Sequence, residues 1–155
     1  MALCVRNFLG NLNGRGNNMD GTHLLAATLF SETKNLEDAK GIANVIMTRT
    51  KNPNRFGGSL EEVILAPYQF SGVGTPEFKK AAELKFKNKE EEKIFKQFLS
   101  VASSAQKGTL EDNSGGADHY VNLKISKPSW SKVYPKTAKI GEHTYFKEVI
   151  LKKKK

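Results

Sequence analysis

The chain has 155 residues, 38% of them hydrophobic and 26% charged, and a formal net charge of +9. That length builds one domain around one core and is too short for two. No apolar run approaches the ~20 residues that cross a bilayer, residues 1–21 lack the continuous apolar region of a secretory signal, and the single cysteine, Cys4, excludes an internal disulfide.

Residues 1–21 are rich in Gly and Asn and carry no periodicity, so they read as a loosely ordered arm with a short turn at 5–9. The pattern predicts a first helix over 22–33, with Leu25, Leu29 and Glu32 on one face at spacings of four and three. Asn35 caps a second helix, whose first turn holds Glu37 and Asp38 where the macrodipole favours anions. Ala39, Ile42, Ala43, Val45 and Ile46 form its core face, and residues 51–54, with Pro53, stop it after Arg49-Thr50. Ser59 and Glu62 make a capping box for a short helix over 60–66, ended by Pro67. A loop follows, Tyr68-Gln69-Phe70-Ser71-Gly72-Val73-Gly74. Its two glycines lack the third, and the preceding strand, of a dinucleotide fingerprint.

Thr75, Pro76 and Glu77 supply cap, N1 proline and first-turn acid for a helix with Phe78, Ala82 and Phe86 as its stripe. A longer helix over 89–106 opens on three glutamates, carries a broad apolar face and ends at Gly108. Beyond the loop at 109–116 the texture changes. Residues 117–122 and 144–150 alternate as short strands, joined by an irregular segment with Pro128, Trp130 and Pro135. The fold class is therefore α+β, mainly α, with one domain over 22–150 and a basic tail at 151–155.

The charge is unevenly placed. Residues 1–75 hold seven basic and six acidic side chains, residues 76–123 eight of each, and residues 124–155 ten lysines against Glu142 and Glu148. Every basic residue after position 75 is lysine. Sequence-specific nucleic-acid readers depend on arginine for bidentate base contacts, so this excess points to diffuse attraction to a polyanion, with Lys152 to Lys155 alternatively a solvated tail.

The chain contains no HExxH, no paired CxxC, no Walker loop and no GxSxG elbow. No metal site or cofactor is indicated, and His23, His119 and His143 are scattered. Glu32 stands out instead. It ends an apolar stripe at the negative pole of its helix, and both apolar neighbours and the dipole raise a carboxyl pKa. A carboxylic acid that stays protonated near neutral pH is what glycosidic cleavage asks of its general acid. Fraying of Glu32 into solvent at 33–35 is the other reading the helix allows. The polar-aromatic loop at Gln69-Phe70-Ser71 and the strand bearing His119, Tyr120 and Asn122 add amide, hydroxyl and aromatic groups suited to gripping a sugar chain.

In order along residues 24–146, five blocks resemble the SleB-type cell-wall hydrolases, known as spore-cortex-lytic enzymes. Leu24 to Glu32 is similar to the family's apolar helix ending in its catalytic glutamate. Ile42-Ala43-Asn44-Val45-Ile46-Met47-Thr48-Arg49 resembles the next helix. Val63-Ile64-Leu65-Ala66-Pro67-Tyr68-Gln69-Phe70-Ser71 resembles the block around its Phe-Ser/Thr loop. Residues 117–122 resemble its Ala-x-x-Tyr-x-Asn strand, and Ile140-Gly141-Glu142-His143-Thr144-Tyr145 its closing segment. Where the family has Gly-Glu-Ala-Arg-Gly-Glu, this chain has Ser31-Glu32-Thr33-Lys34-Asn35-Leu36-Glu37, with the second glutamate displaced by one.

The resemblance implies a lysozyme-like fold and cleavage of the MurNAc–GlcNAc bond of peptidoglycan, typically as a lytic transglycosylase. Glu32 takes the role of acid and base; Tyr120, Asn122, His119, Gln69 and Ser71 are the expected substrate contacts. A hydrolytic muramidase of the same fold needs a second carboxylate ~5–9.5 Å away, for which Glu37 and Asp118 are the candidates. A non-catalytic basic module on nucleic acid or teichoic acid is the alternative from another class. The expected partners are glycan strands and, through the C-terminal lysines, an anionic wall or membrane surface. The expected place of action is the bacterial wall, with a phage lysin or virion-borne enzyme as the expected source.

Overall fold

The structure, a computed structural model, describes residues 20–66, 70 and 72–148. The arm at 1–19, Gln69, Ser71 and the tail at 151–155 lie outside the described residues. Six helices come first: α1 (Gly21–Glu32), α2 (Leu36–Thr50), α3 (Pro53–Phe56), α4 (Leu60–Leu65), α5 (Pro76–Glu83) and α6 (Lys89–Lys107). A three-stranded sheet follows: β1 (His119–Val121), β2 (Lys136–Ile140) and β3 (His143–Phe146), with a 3-10 turn at Ser129–Lys132 before β2. The class is α+β, mainly α.

Local chemistry sets the helix starts. Asp20, Asn35, Ser59, Thr75 and Asn88 each accept a bond from the backbone N–H three residues on, satisfying a donor that the first helical turn leaves unpaired. Glu62 returns its carboxylate to Gly58 N at 2.7 Å, one residue before the cap.

The core is arranged around α1. Residues 24–30 are buried without interruption, because α2, α4, α5 and α6 all pack on this helix. The stripe of Leu25 and Leu29 is thus part of a helix enclosed on every side, as an all-round apolar helix must be. Phe30, Phe86 and Phe95 meet at centroid distances of 5.1–6.1 Å and close one end of the core. Phe86 does so from beyond the C-terminus of α5, not as part of its helical stripe.

The sheet is antiparallel throughout, in the order β1-β3-β2. Tyr120 stands opposite Tyr145 and His119 opposite Phe146. Two expected boundaries change here: the strands at 117–122 and 144–150 reduce to His119–Val121 and His143–Phe146, with 149–150 outside the described residues. The segment read as irregular supplies β2. Its alternation is hidden by a register shift between Lys136 and Ala138, where Thr137 bulges and donates to Ser114 O at 2.6 Å. A bulge breaks period two, and lysines on an edge strand look like loop. Likewise Pro53 ends α2 yet opens the short α3, as N1 prolines do.

Candidate active site

Glu32 is the last residue of α1, where the helix leaves the core and becomes half-buried. The helix end is satisfied locally: Ser31 Oγ donates to Thr28 O at 2.7 Å, and Lys34 Nζ to Phe30 O at 2.7 Å while pairing with Glu77 at 3.0 Å. The Glu32 carboxylate is therefore left for partners from elsewhere. Gly72 N donates to Oε2 at 2.6 Å, and the Tyr120 hydroxyl donates to Oε1 at 2.9 Å. Burial pushes the Glu32 carboxyl up. The Gly72 and Tyr120 bonds and nearby His143 pull it down, Asp38 pushes it up, and the balance is above the ordinary value of 4.5. The acid is thus held in place by two fixed donors without being forced to ionise.

Tyr120 reaches Glu32 from β1. Its ring packs beside Phe70 at 6.3 Å and Tyr145 at 5.8 Å, and His143 meets it edge-on at 5.0 Å. Burial first, and then the Glu32 charge, push its phenol far above the ordinary range, so it remains an O–H donor. Gly72 is needed for a steric reason. A Cβ there would lie 2.7 Å from Glu32 Oε2 and 2.8 Å from Ser31 Cβ, and closer still to Ser31 Oγ. Gly72→Ala therefore has to push the loop off the acid. We expect activity to fall on the order of 10–100-fold, as for an ~1 Å misplacement, with the melting temperature little changed. Near-wild-type activity would show that the Gly72 bond does not matter.

Behind Tyr120 lies a fully buried carboxylate, Asp38, in the first turn of α2. His143 Nδ1 meets its Oδ2 at 2.6 Å, and the Tyr145 hydroxyl donates to Oδ1 at 2.5 Å and to the Asp38 carbonyl at 2.9 Å. Gly41, one turn on, lets Tyr145 come this close: a Cβ there would be 2.6 Å from the hydroxyl. Arg49, at the other end of α2, donates Nε to Asp118 O at 2.8 Å and lies over the rings of Phe56 and Phe70. Helix α2 thus fixes the sheet that carries Tyr120. Asp38, His143 and Gly72 were not singled out from the sequence as site residues. The only signal was His143 in the closing family-like block.

The remaining sequence candidates are dispersed. Gln69 and Ser71 lie outside the described residues; of their neighbours, Gly72 bonds Glu32 and Phe70 packs beside the Tyr120 ring. Asn122 follows β1, two residues beyond Tyr120; its Oδ1 accepts from Lys124 N at 3.0 Å, and its carbonyl from Ile125 and Ser126 N. Glu37 is exposed and paired with Lys40 at 3.0 Å. His119 is not brought to Glu32. Successive strand residues point to opposite faces, so with Tyr120 facing the acid, His119 packs among Trp130, Tyr134 and Phe56 at 4.8–6.1 Å. There its Nδ1 meets Asp118 Oδ1 at 2.9 Å and its Nε2 lies 3.8 Å from Glu148 Oε1. These three side chains place possible metal-ligand atoms within 4.8 Å of one another. They are already tied together, by Glu148 N to Asp118 at 2.7 Å and by a two-pronged Arg55–Glu148 pair.

Comparison with known proteins agrees with this architecture. Residues 34–146 match the family model of the cell wall hydrolases, a span that starts just past Glu32. The chain is similar in structure to the catalytic domain of the germination-specific lytic transglycosylase SleB from Bacillus anthracis. The TM-score is 0.59 at 21% identity, over 82% of this chain and 93% of that one, which gives this chain the lysozyme-like fold. No curated protein matches the sequence. On the family match over most of its length, the chain belongs to the cell wall hydrolases, enzymes that degrade the peptidoglycan of the bacterial wall.

Proposed function

We propose that this enzyme cleaves the MurNAc–GlcNAc bond as a lytic transglycosylase, with Glu32 serving first as general acid and then as general base. The observation that carries this reading is the setting of Glu32: a half-buried carboxyl, raised above its ordinary pKa, held by Gly72 N–H and the Tyr120 hydroxyl. In the first step Glu32 gives its proton to the bridging oxygen, and the C1–O4 bond breaks as positive charge develops on the MurNAc ring. The GlcNAc leaves with a free 4-hydroxyl. The two donors then stabilise the carboxylate left behind.

In the second step the 6-hydroxyl of the same MurNAc attacks C1 and returns its proton to Glu32. A C1–O6 bond closes the 1,6-anhydro ring and the acid is regenerated. The nucleophile is already attached, so no second reactant has to be captured. Hydrolysis would need another carboxylate to activate water on the opposite sugar face. Among the described residues the nearby acids are occupied. Asp38 is fully buried with both oxygens bonded, Glu37 faces solvent beside Lys40, and Asp118 Oδ1 is held by His119 Nδ1 and Glu148 N. Tyr120 and Asn122 on one side, and Gln69, Phe70 and Ser71 on the other, are the proposed contacts to the sugars flanking the bond. His119, turned to the other face, stands outside that set.

Mass spectrometry of the released muropeptides tests the reading. The expected products end in 1,6-anhydroMurNAc. Products one water heavier, with a reducing-end MurNAc, would mean hydrolysis and would overturn it in favour of a muramidase.

A further inference from the structure

The proposed reaction makes no use of the buried cluster of Asp38, His143 and Tyr145, yet that cluster packs against the residue that holds Glu32. On β3, His143 and Tyr145 are two residues apart and share a sheet face. Tyr145 is the cross-strand partner of Tyr120, so His143 is its diagonal neighbour, within reach of an aromatic ring. The His143 and Tyr120 rings meet at 5.0 Å and 87°. Among the described residues this is the nearest ring to Tyr120, ahead of Tyr145 at 5.8 Å and Phe70 at 6.3 Å.

His143 is itself fixed. Its Nδ1 lies 2.6 Å from Asp38 Oδ2, and the Asp38 side chain is 1% exposed. Among the described residues this is the one hydrogen bond the imidazole makes. Asp38 is set in α2, where its N–H donates to Asn35 Oδ1 at 2.9 Å. Tyr120, by contrast, has its polar atom committed to the acid, with the O–H on Glu32 Oε1 at 2.9 Å. A tyrosine turns about two side-chain bonds, so the hydroxyl at its tip keeps its aim only while the ring is held by packing.

We propose that His143 is a positioning residue for the reaction: anchored to α2 through Asp38, it holds the Tyr120 ring so that the hydroxyl stays on Glu32. It acts through Tyr120. The charge of His143 works in the same direction as the Tyr120 bond, pulling the Glu32 carboxyl down, while Asp38 pushes it up. Tyr120 from β1, His143 from β3 and Asp38 from α2 are the side chains that bear on the ionisation of Glu32, beside the Gly72 N–H. The inference rests on Glu32 as the acid, whichever nucleophile completes the reaction.

A double-mutant cycle of His143→Asn and Tyr120→Phe, read by the initial rate of peptidoglycan cleavage, tests this. Asparagine places an amide near the position of Nδ1, keeping a donor for Asp38 while removing the ring. His143→Asn alone should slow cleavage about tenfold, the worth of one weakened hydrogen bond to a charged group. In the Tyr120→Phe background no hydroxyl is left to aim, and the same change should cost less than about threefold. Equal losses in both backgrounds, or none in either, would overturn the assignment. Tyr145→Phe also takes a bond from Asp38 but keeps its ring beside Tyr120. It should lower the thermal midpoint and leave the rate near wild type; a loss equal to that of His143→Asn would reduce the effect to damage of the cluster and overturn it too. If His143→Asn does not fold, His143→Gln, which fills more of the ring's space, takes its place.

A second readout is independent of activity. In protein carbon-13-labelled at the glutamate carboxyls, the Glu32 resonance is assigned by its loss in Glu32→Gln. It should titrate at higher pH in His143→Asn and in Tyr120→Phe than in wild type, because each change takes stabilisation from the carboxylate. Tyr145→Phe should leave it in place. An unmoved titration in His143→Asn would overturn the positioning role, whereas an active Glu32→Gln would overturn the catalytic reading and leave the titration result standing.

Discussion

Glu32→Gln is expected to abolish most peptidoglycan cleavage while leaving the fold intact. Glutamine keeps the shape of the side chain. Its oxygen can accept from Gly72 N–H and its amide can donate to the Tyr120 oxygen, whose own O–H then turns to another acceptor. What it cannot do is give up or take back a proton. Loss of general acid–base catalysis alone costs ~100–10,000-fold, and here one residue is proposed for both steps. Glu37→Gln, at an exposed position beside Lys40, should cost little. If the two variants are equally damaging, Glu37 is the second carboxylate of a hydrolase.

The same substitution has an expected signature in stability. The folded protein holds the Glu32 proton to higher pH than the unfolded chain does, because burial raises its pKa above 4.5. Its contribution to stability is therefore fully present below the unfolded pKa and is lost as pH rises through the folded one. Glu32→Gln is uncharged throughout and escapes that loss. Its thermal midpoint at pH 7 should match or exceed that of wild type, and the difference should vanish on acidification below about pH 4. In the wild type, activity should fall as pH rises through the same raised pKa, since the ionised form has no proton to donate.

Asp38→Ala should be the most damaging change to the fold among residues near the site. Asp38 is fully buried, and its two oxygens satisfy His143 Nδ1 at 2.6 Å and the Tyr145 hydroxyl at 2.5 Å. Alanine leaves a buried hydroxyl and a buried imidazole nitrogen without their partner and opens a void between α2 and β3. Removing one member of a buried, hydrogen-bonded pair costs about 3–5 kcal/mol, which for a domain of this size is roughly 10–20 °C in thermal midpoint. Asp38→Asn retains an acceptor for Tyr145 and should recover much of the loss. A cost for Asp38→Ala below about 1 kcal/mol, within the range of ordinary surface changes, would show that the cluster does not hold the sheet to α2.

Much of the helical framework is legible in the sequence because its signals act over three or four residues. The caps at Asn35, Ser59 and Thr75 and the stop at Gly108 lie within one helical turn of the groups they satisfy. The same short range marks Glu32 as an acid at the end of an apolar helix. Strand β2 was less legible, since a bulge interrupts its alternation and lysines occupy its exposed positions.

What the tertiary structure decided is who meets that acid. Tyr120 lies 88 positions from Glu32, Gly72 lies 40, and His143 lies 105 from Asp38. Such contacts depend on sheet register and on how α1, α2 and the sheet pack, and no local spacing encodes them. The pleat makes the point most sharply. His119 and Tyr120 are neighbours in sequence and both suit a sugar site, but strand geometry sends one to Glu32 and the other to Trp130 on the opposite face.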